Sequence, residues 1–353
     1  SNTCLGFYSL WESNINDLSR LIIFKGGPGT GKSTLLSNLA KAMIAEGWET
    51  ELLWCSSDAA SLDGVIFRGL GLGIIDGTVP HLRDPLYPGV IDKIINLGEY
   101  WSEQELLRNK DEIIRLTDQN RSLFQTAYQY LAQAKESHDL MESFYISGMN
   151  WSAVSSMSEE LIWQLFRNSP AAASPGKERH RFASALTPQG PVNYLQKLLS
   201  AAKTRYIIKG RAGTGKSTLI KKIAAAAQAK GYNVDYYHCG FDPHSIDGIY
   251  IPALELCVID GTSPHEITPE SGDIVIDMFS FMSGSVYGSN QKAIRQAEAG
   301  YHTSLQKALE ILKECKAVHD QLEEYYVKAM DFSSLDAVYN KLLLEIKAWA
   351  ETE

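Results

Sequence analysis

Two stretches of the chain carry residue types suited to phosphate chemistry. Gly26-Gly27-Pro28-Gly29-Thr30-Gly31-Lys32-Ser33-Thr34 and Gly210-Arg211-Ala212-Gly213-Thr214-Gly215-Lys216-Ser217-Thr218 share one spacing, and each stands between a short apolar run and a helical one. Glycines so placed let successive backbone N–H groups turn inward around phosphate oxygens, and the start of the following helix adds its positive dipole end. Lys32 and Lys216 would reach the β and γ phosphates of a nucleotide. Ser33 and Ser217 would ligate Mg²⁺ through their hydroxyls, the hard oxygen donors that this ion prefers. A glycine turn without a ligand is the plainer reading of one such stretch, but two aligned copies in the same context argue against it.

Asp76 and Asp260 each end an apolar run, where a carboxylate can hold the same magnesium through water. The residue after each is glycine (Gly77, Gly261) rather than glutamate, so the group that polarises the nucleophile must come from elsewhere. Asp58 with Asp63, and Asp242 with Asp247, in the pattern Cys-x-x-Asp-x-x-Ser-x-Asp-Gly, are the candidates for a general base; capping of a local turn is an equal alternative. His81 and His265, each following proline just past the magnesium aspartate, could touch the γ-phosphate or sense its loss. Zinc is not expected, because no further His or Cys ligands stand at suitable spacing. His138, Glu142 and Tyr145, repeated as His319, Glu323 and Tyr326, form a stripe at helical spacing that reads first as helix packing. Lys110, Lys292, Arg108 and Arg115 are candidate lid charges, although exposed helix charges are usually only solvated.

These residues recur because the chain is a duplication. At an offset of 184 the two glycine-rich loops align, as do Cys55 with Cys239, Asp58 with Asp242, Asp63 with Asp247 and Asp76 with Asp260. Further on the offset is 181, pairing Lys135, His138, Glu142 and Tyr145 with Lys316, His319, Glu323 and Tyr326. In each copy a strand (Leu21 to Phe24; Tyr206 to Ile208) leads to the loop and a helix ending near Gly47 or Gly231. A second strand (Glu51 to Cys55; Asp235 to Cys239), a polar turn and a third strand (Leu70 to Ile75; Leu254 to Ile259) follow. The pattern predicts an α/β fold with a mainly parallel sheet. From about Tyr100 to Phe166 and from about Asn290 to Trp349, apolar residues at helical spacing predict a long helical hairpin on each core.

The expected organisation is a first domain over 1–168 (core about 1–97, helices about 98–168), a linker over 169–178, and a second domain over 179–353 (core about 179–285, helices about 286–353). Nothing before Thr3 matches Arg179 to Leu186, so the first copy reads as lacking an N-terminal strand that the second has. The two copies are expected to pack as a pseudo-twofold pair.

Composition bounds the rest. At 353 residues the chain suits two domains, and no apolar stretch approaches the roughly 18 residues of a membrane span. Lys and Arg number 33 against 42 Asp and Glu, a net charge of −9 that disfavours general nucleic-acid binding. Five cysteines, widely spaced and without a C-x-x-C pair, read as reduced thiols in a cytoplasmic protein.

With both loops and both Asp-Gly-Thr-x-Pro-His segments in hand, the chain resembles the P-loop NTPase superfamily and, within it, a bacterial family of tandem P-loop ATPases. The resemblance covers nearly the whole chain. It implies two three-layer α/β/α domains that bind ATP with Mg²⁺, phosphate roles for Lys32 and Lys216, and metal roles for Ser33, Ser217, Asp76 and Asp260. The expected function is binding of MgATP at both loops with hydrolysis. The alternatives are a kinase for a small molecule or nucleotide, whose acceptor is open, and a nucleotide-gated interaction module with a protein partner.

Overall fold

A computed structural model describes residues 1–170, 172–262 and 266–351. It is a mixed α/β structure, and no helix among the described residues is long and apolar enough to cross a membrane. In chain order the first repeat contains β1 (Asn2–Thr3), β2 (Gly6–Phe7), α1 (Trp11–Ile15), β3 (Arg20–Lys25), α2 (Lys32–Ala45), β4 (Glu51–Trp54), β5 (Leu62–Phe67), β6 (Leu72–Asp76), β7 (Asp92–Asn96), α3 (Glu103–Arg108), α4 (Lys110–Gly148) and α5 (Trp151–Phe166). The second contains β8 (Glu178–Phe182), β9 (Ser184–Thr187), β10 (Gly190–Asn193), α6 (Leu195–Leu198), β11 (Thr204–Lys209), α7 (Lys216–Ala229), β12 (Val234–His238), β13 (Ile246–Ile251), β14 (Leu256–Asp260), β15 (Ile274–Asp277), α8 (Gly284–Ala329) and α9 (Phe332–Ala350).

Each repeat builds one main sheet, ordered β4-β5-β6-β3-β7 in the first and β15-β11-β14-β13-β12-β8 in the second. The strand before each glycine-rich loop lies one in from a sheet edge and is parallel to both neighbours: β3 to β6 and β7, β11 to β14 and β15. The sheets are mainly parallel with one reversed strand each, because β5 and β13 run antiparallel to the strands on either side while the other strands of each sheet share one direction. Those two strands occupy what the sequence presents as a polar turn. Every residue of Leu62–Phe67 is buried, so the strand shows no polar alternation, and Asp63-Gly64 mimics a turn dipeptide.

The chain divides into two compact units that cut across the expected domain limits. One comprises Ser1–Asn14, Ala127–Leu186 and Gly190–Leu309; the other comprises Ile15–Thr126, Thr187–Gln189 and Glu310–Glu353. The core holding the first glycine-rich loop thus takes its covering helix from the end of the second repeat, and the core holding the second loop takes its own from the end of the first.

The packing explains the exchange. In the unit with the first loop, Leu335, Leu342 and Ile346 of α9 join Leu36, Leu39 and Met43 of α2 and Phe24, Val65 and Ile74 of the sheet in one buried cluster. Helix α9 starts where the Asp331 carboxylate accepts from the backbone N–H of Ser333 and Ser334, and its apolar residues recur on one face. In the other unit Val154, Leu161 and Phe166 of α5 pack with Leu219, Ile220 and Ile223 of α7 and Ile249 and Val258. Asn150 caps α5 by accepting from the Ala153 N–H. Burying a side chain such as Ile346 stabilises the fold by about 1.5–3 kcal/mol.

Candidate functional site

Each glycine-rich loop joins the C-terminal end of β3 or β11 to a helix of 14 residues. Gly31 and Gly215, at φ +85° and +88°, hold the left-handed turn that opens the helix, a conformation other residues enter only under strain. A buried threonine ties each loop across itself: Thr30 Oγ1 donates to Gly27 O at 2.8 Å and Thr214 Oγ1 to Arg211 O at 2.7 Å. Thr34 and Thr218 lie in the first turns of α2 and α7.

The lysine of each loop folds back over it. Lys32 Nζ donates to Gly26 O at 2.9 Å and Gly27 O at 2.6 Å, and Lys216 Nζ to Arg211 O at 2.8 Å. Each faces the aspartate that ends the neighbouring parallel strand, with Lys32 Nζ 3.6 Å from Asp76 Oδ2 and Lys216 Nζ 3.5 Å from Asp260 Oδ2. The other oxygen of each carboxylate accepts from the N–H of Thr78 or Thr262. Burial pushes the Asp260 carboxyl up, opposed by Lys216. Ser33 Oγ accepts from Leu62 N and Ser217 Oγ from Ile246 N, both at 2.9 Å. Serine hydroxyls and aspartate carboxylates are hard oxygen donors of the kind Mg²⁺ takes.

The sequence candidates for proton transfer separate. Asp58 and Asp242 serve their local turns, Asp58 accepting from Ala60 N and Ser61 Oγ and Asp242 from His244 N. Asp63 and Asp247 are buried on the antiparallel strands β5 and β13. Asp63 Oδ2 stands 2.8 Å from His81 Nε2, both side chains 12% exposed. Cys55 completes a trio, in which one donor atom each from Cys55, Asp63 and His81 lie within 4.8 Å of one another. Burial and Asp63 push the Cys55 thiol up. In the second copy burial and Asp247 act on Cys239 in the same direction; His265 lies outside the described residues.

The helical stripe packs, and it packs on the loops. A Cβ on Gly27 would meet the Tyr326 ring at 2.7 Å, and one on Gly29 would meet Glu323 Cγ at 2.8 Å; one on Gly213 would meet Glu142 O at 2.6 Å. Lys316 lies 3.5 Å from Asp58, and Lys135 lies 3.5 Å from Asp242. Arg108 and Arg115 pair instead with Glu105 and Glu112 along their own helices.

Beside the first loop, a cavity of about 660 Å³ is lined by Gly31, Thr34, Asn38, Phe332, Asp336 and Tyr339. The last three belong to α9, so only the fold brings them to a loop some 300 residues earlier. Sequence reading missed them for that reason. Cys55 was visible as a residue repeated in Cys239, but its partnership with Asp63 and His81 depends on the unforeseen strand β5.

No protein-family model matches the chain, and no curated protein or solved structure matches it either.

Proposed function

We propose that the chain is a tandem P-loop protein that binds MgATP at both glycine-rich loops and hydrolyses it. The observation that carries this reading is the repetition, in two separately built cores, of one constellation: a loop lysine facing a strand-end aspartate, with a serine hydroxyl fixed by the next strand. The loop N–H groups of Gly26–Thr34 and Gly210–Thr218 would hold the phosphates, with Lys32 and Lys216 on the β and γ groups. Ser33 with Asp76, and Ser217 with Asp260, would hold Mg²⁺, which supplies charge neutralisation on the β and γ oxygens. Asp63 and Asp247 are the remaining carboxylates able to polarise the attacking water, since Asp58 and Asp242 are spent on turns.

In the first copy, the cavity beside Thr34 would take the nucleoside. Phe332 and Tyr339 offer faces for a base and Asp336 a carboxylate for ribose hydroxyls. At the 181 offset α5, which packs in the core of the second loop, has Trp151, Ser155 and Ser158 at these positions, so the two sites would differ in nucleoside affinity while sharing phosphate chemistry.

Phosphate release from MgATP by the wild type, Lys32→Ala, Lys216→Ala and the double variant tests the reading. Steady release by the wild type, reduced at least tenfold in the double variant, supports hydrolysis. Tight binding without release would remove the ATPase and direct the search to a phosphoryl acceptor or a protein partner.

A further inference from the structure

We propose that Cys55, Asp63 and His81 form a binding site for a borderline transition metal ion, with Zn²⁺ the best match to the donor set. The trio combines a thiol, a carboxylate and an imidazole, and their donor atoms already lie within 4.8 Å of one another. Tetrahedral coordination with bonds of roughly 2.0–2.3 Å places ligand atoms about 3.5 Å apart, so side-chain adjustment suffices. A thiolate with an imidazole selects Zn²⁺ and its neighbours in the series over Mg²⁺ and Ca²⁺, which take oxygen ligands. The site is therefore chemically distinct from the Ser33 and Asp76 oxygens, and it does not depend on nucleotide.

Three elements build the trio: Cys55 follows β4, Asp63 is buried within β5, and His81 follows β6. The second, independent observation is the duplication, because the same residue types recur at the same spacing as Cys239, Asp247 and His265. The recurrence is one of sequence, three potential ligand types kept at identical spacing in both copies. Three protein ligands leave a fourth position for water or substrate, the pattern of reactive rather than structural zinc. Leu62, next to Asp63, donates to the proposed magnesium serine Ser33, so that fourth position would lie near the phosphate end of the nucleotide site. On binding, Cys55 gives up its thiol proton to solvent and ligates as the thiolate, with His81 as the imidazole and Asp63 as the carboxylate. No electrons are transferred.

Cobalt(II) is the probe, because a thiolate ligand gives it a near-ultraviolet charge-transfer band. The full chain carrying Cys239→Ser, stripped with chelator, is titrated with Co²⁺ in the absence of nucleotide. The expected result is a saturable thiolate band that Zn²⁺ bleaches and that adding Cys55→Ser abolishes. His81→Gln and Asp63→Asn should each weaken Co²⁺ binding at least tenfold, whereas Lys32→Ala leaves it unchanged. Thermal unfolding of each variant identifies any that fail to fold, and the Co²⁺ titration of Cys239→Ser itself needs none of them. Absence of the band in that chain, or a band unaffected by Cys55→Ser in folded protein, overturns the proposal.

Discussion

The carboxylate of Asp58 lies 3.5 Å from the ammonium of Lys316, and the same distance separates Asp242 from Lys135. Within the repeat, Asp58 corresponds to Asp242 and Lys135 to Lys316, so each pair joins an aspartate of one copy to the lysine of the other. The pairs are partly exposed, and such bridges contribute about 0–1 kcal/mol. We expect Asp58→Ala and Lys316→Ala to couple by ~0.5 kcal/mol in a double-mutant cycle followed by urea unfolding. Strict additivity would mean that the pair does not hold the helix in place.

Close packing of the stripe on the loops makes a sharper demand. Gly213 has φ +75°, and a Cβ there would stand 2.6 Å from the Glu142 carbonyl oxygen; Gly272 has φ +100° with nothing within 4 Å. Gly272→Ala should cost only backbone strain, about 1 kcal/mol. Gly213→Ala adds a clash with main chain and should cost about 2–4 kcal/mol. Chemical denaturation compares the two, and equal costs would show that α4 yields easily.

Helix α9 offers an internal control for the exchanged cover. Ile346 is fully buried and Leu344 is 68% exposed. Ile346→Ala is expected to cost about 2–5 kcal/mol, and Leu344→Ala to stay within about 0.5 kcal/mol. If Ile346→Ala were equally mild, α9 would not be part of the core that carries the first loop.

Acidification should loosen the stripe. Burial is the largest influence on His319 and holds its pKa below the ordinary 6.5, reinforced by Lys316 and opposed by Glu323, Asp320 and Asp58; His138 and His238 shift the same way. Above about pH 6.5 these rings are neutral in both states and add no pH dependence. Below it the unfolded chain takes the protons first, so stability falls with pH, by up to about 1.4 kcal/mol per pH unit for each ring. Urea midpoints at pH 7.5 and 5.5 should show this loss, and His319→Gln should reduce it. A wild-type midpoint that rises on acidification would contradict the burial of neutral rings.

Much of this architecture is written locally in the sequence. The loops, the strands before them and the helices after them are short-range patterns, and β3, α2, β11 and α7 stand where those patterns place them. Strand β5 was illegible because burial on both faces erases alternation and Asp63-Gly64 imitates a turn. The exchange of covering helices was illegible for another reason: α5 and α9 are amphipathic alike, and periodicity states that a face is buried without stating against which sheet. Phe332, Asp336 and Tyr339 share that fate, since nothing local to α9 points to Thr34.

Equilibrium titration of the full chain with MgATP by calorimetry tests the central claim most directly. The account predicts saturable binding of two nucleotides per chain, one in Lys32→Ala, one in Lys216→Ala and none in the double variant, with all four proteins folded. Absence of saturable binding by the wild type, or binding by the double variant equal to it, would contradict the assignment of Lys32 and Lys216 to phosphate.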